Sequence, residues 1–228
     1  MNWNLLLFVI FPYVALALAV VVTIVRWRTR PFTISSLSSQ LFERRKLFWG
    51  SVSFHWGIVL ILLGHLTALV VPSAFELWNR VPLRLYLLEI TGLALGLWML
   101  AGLLFLIYRR LSEPKVRAVT SIMDLVVLIV LAVQVVTGLW VALGYRFGSF
   151  WGPTVMAPYL RSLLLLEPRP ELVANLPIVV KLHTSAFFVF LLVFPFSRLV
   201  HVITVPLGYL TRPWLIVLRL RPARGRVP

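Results

Sequence analysis

Apolar residues run almost unbroken through five stretches of this chain, about Leu5 to Val25, Leu47 to Val71, Leu85 to Tyr108, Ser121 to Tyr145 and Ile178 to Ile203. Each is about 20 residues or longer, the length an α-helix needs to cross the hydrocarbon of a bilayer. The pattern predicts an all-α integral membrane protein with five transmembrane helices. The polar punctuation agrees. A basic stretch with Arg26, Arg28, Arg30, Arg44, Arg45 and Lys46 follows the first run, the second stops at Pro72, and the third ends at the pair Arg109 and Arg110. The longest connection, residues 146 to 177, is interrupted by Pro153, Pro158, Pro168, Pro170 and Pro177. Residues 1–228 read as one membrane domain with a basic tail at 204–228, without internal repeat or soluble domain.

Composition strengthens this. The chain is 61% hydrophobic with mean hydropathy +0.96, and charged residues make up 13%, against roughly 25% in soluble domains. Its net charge of +15 would ordinarily suggest phosphate neutralisation on a nucleic acid. Here the charges lie between apolar runs, so no nucleic-acid partner is expected and their role is to set orientation. Five spans put the 26–46 loop, the 109–117 loop and the segment after His201 on one side, with fifteen Lys and Arg residues; the other side has six, Arg80, Arg84, Arg146, Arg161, Arg169 and Lys181. The positive-inside rule then places the N-terminus outside and the C-terminus in the cytoplasm. Trp78, Trp140, Trp151 and Trp214 fall near span ends, where amphipathic aromatics anchor. The opening Met-Asn-Trp-Asn lacks the basic region of a secretory signal, so the first span is expected to be retained.

Candidate chemistry enters with the four histidines, His55, His65, His183 and His201, all within or at the edge of a predicted span. Ionisable groups are costly in a membrane and mark functional sites, and imidazole is a common axial ligand of haem iron. There is no cysteine, which excludes disulfides, thiolate-held iron–sulfur clusters and covalent c-type attachment. Along one helix His55 and His65 are about 15 Å apart, and His183 and His201 about 27 Å. Two ligands of one iron are separated by only about 4 Å. Each haem must therefore bridge spans two and five, which run antiparallel, giving the pairs His55 with His201 toward the cytoplasm and His65 with His183 toward the outside. The ten-residue spacing leaves His55 and His65 about 80° apart around their helix, whereas eighteen residues make five whole turns, so His183 and His201 should face the same way. The difference in axial reach then has to be absorbed by tilt of a helix or a haem.

Further candidates follow from position. Gly57 and Gly64, near the ligands of span two, would let a flat porphyrin approach the backbone or serve close helix packing. Arg198, three residues before His201, could pair with a haem propionate or snorkel to lipid phosphate. Asp124 and Gln134 read as capping or packing groups. Glu89, inside span three, could accept a proton or pair with Arg84.

The segments SSLSSQLFERRKLFWGSVSFHWGIVLILLGH (Ser35 to His65), SEPKVRA (Ser112 to Ala118) and FPFSRLVHVITVPLGYLTR (Phe194 to Arg212) resemble the gamma subunit of membrane-bound respiratory nitrate reductase, and the resemblance covers nearly the whole chain. It implies two b haems held by the four histidines and a multi-pass location in a prokaryotic inner (plasma) membrane. It implies oxidation of a quinol (menaquinol or ubiquinol) at the outer face, with electrons passing to a cytoplasmic iron–sulfur beta subunit and a molybdenum-containing alpha subunit. The quinol-site candidates are Arg84, Gly64 and Glu89. Where the family often has a lysine, this chain has Arg84, whose guanidinium can donate to a quinone oxygen but does not readily lose a proton. Two other readings compete: a similar cytochrome b serving another quinol-linked reductase, and a haem-free membrane anchor or transporter. Neighbouring genes or copurifying subunits separate the first, and a visible absorption spectrum the second.

Overall fold

The computed structural model describes residues 3–30 and 45–202, with the backbone alone for Arg45, Lys46 and His201. Among these residues there is no strand. Five helical stretches are long and apolar enough to cross a membrane: Trp3–Thr29, Leu47–Val70, Pro82–Ser112, Ile122–Gly144 and Ile178–Phe196. Large apolar side chains stand exposed along them, among them Leu63, Ile90 and Ile129, an arrangement that suits lipid rather than water. The chain is a multi-pass membrane protein.

The first span comprises α1 (Trp3–Leu5), a π turn (Leu6–Ile10) and α2 (Phe11–Thr29). The π turn has a cause: Pro12 has no N–H to offer the carbonyl of Phe8 four residues before it, and its ring crowds that oxygen. The Tyr159 hydroxyl donates to the Phe8 carbonyl instead, at 2.9 Å. Next come α3 (Arg45–Val70), α4 (Pro72–Asn79), α5 (Pro82–Ser112), α6 (Pro114–Ala118), α7 (Ile122–Gly144), α8 (Gly148–Leu164), α9 (Glu171–Ala174) and α10 (Ile178–Val193). Pro72, Pro82 and Pro114 each open a helix, where a missing N–H is no loss. A capping box between Ser121 and Asp124 starts α7.

The spans pack in the order α3, α5, α7, α10, α2, each most extensively on its neighbours; α3 and α10 make no comparable contact with each other. Small residues set the closeness of α3 and α5. A Cβ on Gly102 would lie 2.6 Å from the Phe54 backbone nitrogen, and one on Gly57 would lie 2.7 Å from the Met99 Cβ. Phe54, Met99, Leu103, Leu131 and Val135 form the core of this sector, while Phe8, Ala15, Tyr159, Leu163, Val173 and Phe188 form a second core beside α8.

Two elements differ from the sequence reading. The proline-rich connection contains α8, a helix of 17 residues with Pro153 and Pro158 inside it. Pro153 cannot donate to the Ser149 carbonyl, but the buried Asn79 amide does so at 2.8 Å. Helix α8 packs on α3 and α4. Its Arg161 donates to the Leu69 and Val70 carbonyls at 2.8 and 2.7 Å, closing the end of α3.

The fifth span, by contrast, is not continuous to residue 203. Helix α10 ends at Val193, a 3₁₀ turn covers Phe194–Phe196, Ser197 is extended (φ −110°, ψ 179°), and a second 3₁₀ turn runs Arg198–Val202. Pro195 withholds a helical N–H, and the Ser197 hydroxyl donates to the Phe194 carbonyl at 3.0 Å while accepting from the Leu199 N–H at 3.2 Å. Arg26 of α2 donates to the carbonyls of Pro195 and Ser197 at 2.7 and 3.2 Å. His201 therefore follows a break, and the register of five whole turns between it and His183 does not hold.

Candidate functional site

His55 and His65 lie on the exposed side of α3. His55 Nδ1 is 2.7 Å from the Ser51 carbonyl oxygen and 3.1 Å from its hydroxyl. His65 Nδ1 is 2.8 Å from the Ile61 carbonyl oxygen. A carbonyl only accepts, so in both rings Nδ1 carries the proton and, in the neutral imidazole, Nε2 carries the lone pair. This is the state in which histidine enters a metal's coordination sphere, its second nitrogen fixed by an acceptor.

His183, half-buried on α10, reaches the same state by another route. Its Nδ1 is 3.1 Å from Thr137 Oγ1 on α7. Thr137 donates its hydroxyl proton to the Val133 carbonyl at 2.6 Å, so its oxygen accepts from His183. Nε2 again bears the lone pair, and the Gln134 amide nitrogen stands 3.4 Å from it. Gln134 Oε1 is buried without a partner, so this carboxamide is poorly satisfied where it is. Beside it, a Cβ on Gly138 would lie 2.9 Å from His183 Cε1. His65 stands on α3 and His183 on α10, the two helices from which the expected outer pair would be drawn. The side chain of His201, and with it the pair His55 with His201, lies outside the described residues. Among the described residues no group of three or more His, Cys, Asp or Glu comes together to hold a bare metal ion. Imidazoles on α3 and α10 whose lone pair is on Nε2 suit a haem, which brings most of its own donors to the iron.

The remaining candidates separate. Gly57 serves packing against Met99, whereas a Cβ on Gly64 would meet nothing within 4 Å, so only Gly64 borders open space. Arg198 Nε pairs with Asp124 Oδ1 at 3.3 Å, and Asp124 Oδ2 takes Arg110 at 3.1 Å. Asp124 thus caps α7, as its position suggested, and also ties the second 3₁₀ turn to α5. Arg84 lies over the Trp78 ring, 5.5 Å from its centroid, and its carbonyl accepts from the Trp78 indole N–H at 3.1 Å. Glu89 accepts from the Ser149 N–H at 2.8 Å, so it caps the start of α8 in place of the pairing with Arg84 that the sequence allowed. The acceptor roles of Ser51 and Ile61 follow from four-residue spacing and could have been read from sequence. Those of Thr137 and Gly138 could not, because nothing in the chain says which face of α7 meets α10.

The chain matches the family model described as nitrate reductase gamma subunit over residues 4–220. It is 30% identical to the nitrate reductase gamma chain of Bacillus subtilis (strain 168), over 91% of this chain and 94% of that one. It is 29% identical to the respiratory nitrate reductase 1 gamma chain of Escherichia coli (strain K12), over 94% and 96%. The nitrate reductase-like protein NarX of Mycobacterium tuberculosis (strain ATCC 25618 / H37Rv) is 32% identical over 92% of this chain, which corresponds to 33% of that longer protein. With membrane-length helices that carry histidines on α3 and α10, and a family match spanning nearly its whole length, this chain belongs to the nitrate reductase gamma subunit family.

Proposed function

We propose that this chain is the dihaem cytochrome b subunit of a respiratory nitrate reductase, which oxidises a quinol at the outer face of a prokaryotic inner membrane and delivers the electrons to a cytoplasmic partner. The observation that carries this is the shared state of the three described imidazoles, each with Nδ1 beside an acceptor oxygen, which makes Nε2 the nitrogen that bears the lone pair. His65 and His183 would hold the outer haem, and His55 and His201 the inner one. Two b haems, when bound, supply one-electron carriers at two depths of the membrane.

The chain's own residues do the rest. Oxidation of a quinol releases two protons and two electrons. Arg84, steadied over Trp78, is placed to donate a hydrogen bond to a quinone oxygen. Glu89, although it caps α8, offers a carboxylate to receive a quinol proton. Gly64 leaves room beside His65 for a flat ring. Since the chain has no cysteine, it cannot hold an iron–sulfur cluster on thiolates, and an iron–sulfur beta subunit with a molybdenum alpha subunit would take the electrons on the basic face.

The test is haem content. The purified chain should bind two haems, and acid acetone should extract both because nothing holds them covalently. A content near zero would overturn the reading, and a content of one would leave one histidine pair a structural role.

A further inference from the structure

Of the three described histidines, His183 alone takes its Nδ1 acceptor from another helix. His55 and His65 use carbonyls four residues back on α3, which no side-chain substitution can remove. His183 has Thr137 Oγ1 of α7 at 3.1 Å from Nδ1, with the Gln134 backbone of the same helix also hydrogen-bonded to the ring. The Thr137 hydroxyl donates to the Val133 carbonyl at 2.6 Å, with the Gln134 carbonyl at 3.2 Å, so its oxygen is left to accept from the ring. Gly138 supplies a notch that a Cβ would close, at 2.9 Å from Cε1, and Gln134 meets the opposite ring nitrogen. Residues 134, 137 and 138 have the i, i+3, i+4 spacing of one helix face.

We infer that Thr137 is the positioning residue for the outer axial ligand, its hydroxyl and the Gly138 notch fixing the rotation and basicity of the His183 imidazole from a helix that itself supplies no ligand. This rests on the reading that His183 holds a haem. An acceptor on the far nitrogen makes an imidazole a stronger donor and favours the oxidised metal. Thr137 therefore holds the potential of the outer haem down, and its contact orients that ring relative to the His65 ring.

The experiment uses the full chain loaded with haem, with the outer signal identified as the one absent from a His65→Ala variant. Thr137→Val keeps the shape and removes the acceptor, while Thr137→Ser keeps the acceptor. The low-field g value of a low-spin ferric haem reports the angle between its two imidazole planes, and a redox titration reports the potential. In Thr137→Val the outer signal should shift in g value and its midpoint should rise, or the outer haem should be lost, with the inner signal unchanged; Thr137→Ser should stay close to the parent. Should Thr137→Val not assemble, Thr137→Ala is read in the same way. Unchanged outer signals in the variant lacking the hydroxyl would overturn the inference, as would equal shifts in both haems or a Thr137→Ser variant as altered as Thr137→Val. A parent chain without haem would instead overturn the underlying reading, so the two failures are distinguishable.

Discussion

His55 and His65 each sit four residues after the carbonyl that holds their Nδ1, so α3 delivers two similarly prepared imidazoles at two depths. Replacing them tests the order of electron flow. His65→Ala or His183→Ala should remove the outer haem, and quinol should then reduce the remaining one slowly or not at all. His55→Ala or His201→Ala should leave an outer haem that quinol still reduces but that cannot pass its electron inward. Absorption spectra of assembled variants after quinol addition check this. If His55→Ala lost quinol-reducible haem while His65→Ala kept it, the quinol site would lie at the cytoplasmic face. Gly64 gives a quieter test. Because its Cβ would meet no protein atom, Gly64→Ala should not lower the melting temperature, and a raised KM for quinol would place the residue at that site.

Between elements, the contact of α3 with α5 depends on glycine and the break after α10 depends on arginine. Gly102→Ala would press a methyl against the Phe54 backbone, 2.6 Å away, while Gly50→Ala would meet the flexible end of Leu106 at 3.0 Å. Backbone cannot yield as a leucine tip can, so Gly102→Ala should cost on the order of 1–3 kcal/mol and Gly50→Ala clearly less, read as the difference in thermal unfolding. Arg26 holds two carbonyls of the break. Arg26→Ala should leave both short of a donor, at a cost of about 1.5–3 kcal/mol for bonds to a charged group. Since His201 follows that break, the loss should fall on the inner haem first, measured as haem content against the outer signal.

Across the whole molecule, fifteen basic residues face six, and by the positive-inside rule that asymmetry sets the proposed orientation, on which the proposed order of quinol, outer haem, inner haem and partner depends. A cytoplasm-dependent reporter fused after Pro228 should be active, and a periplasm-dependent one silent. The reverse result would invert the proposed electron path. In the packing order, α5 and α7 lie between the two histidine-bearing helices in sequence of contact.

The number of spans and their helical nature were legible in the apolar pattern, because a bilayer offers the backbone no water and forces each crossing segment to satisfy its own hydrogen bonds. The placement of His55, His65 and His183 on two membrane-length helices was legible too, since each lies within an apolar run. The fate of the prolines was not. Pro12, Pro153 and Pro195 all remove the same helical donor, yet the first makes a π turn, the second stays inside α8 and the third accompanies a break. In the first two a remote group serves the carbonyl that the proline leaves, Tyr159 for Phe8 and Asn79 for Ser149, and at the third Arg26 instead holds the carbonyls of Pro195 and Ser197 within the break. The same holds for Thr137 and His183, 46 residues apart. Local pattern determines where a backbone group loses its partner; only the packing of distant helices decides what replaces it.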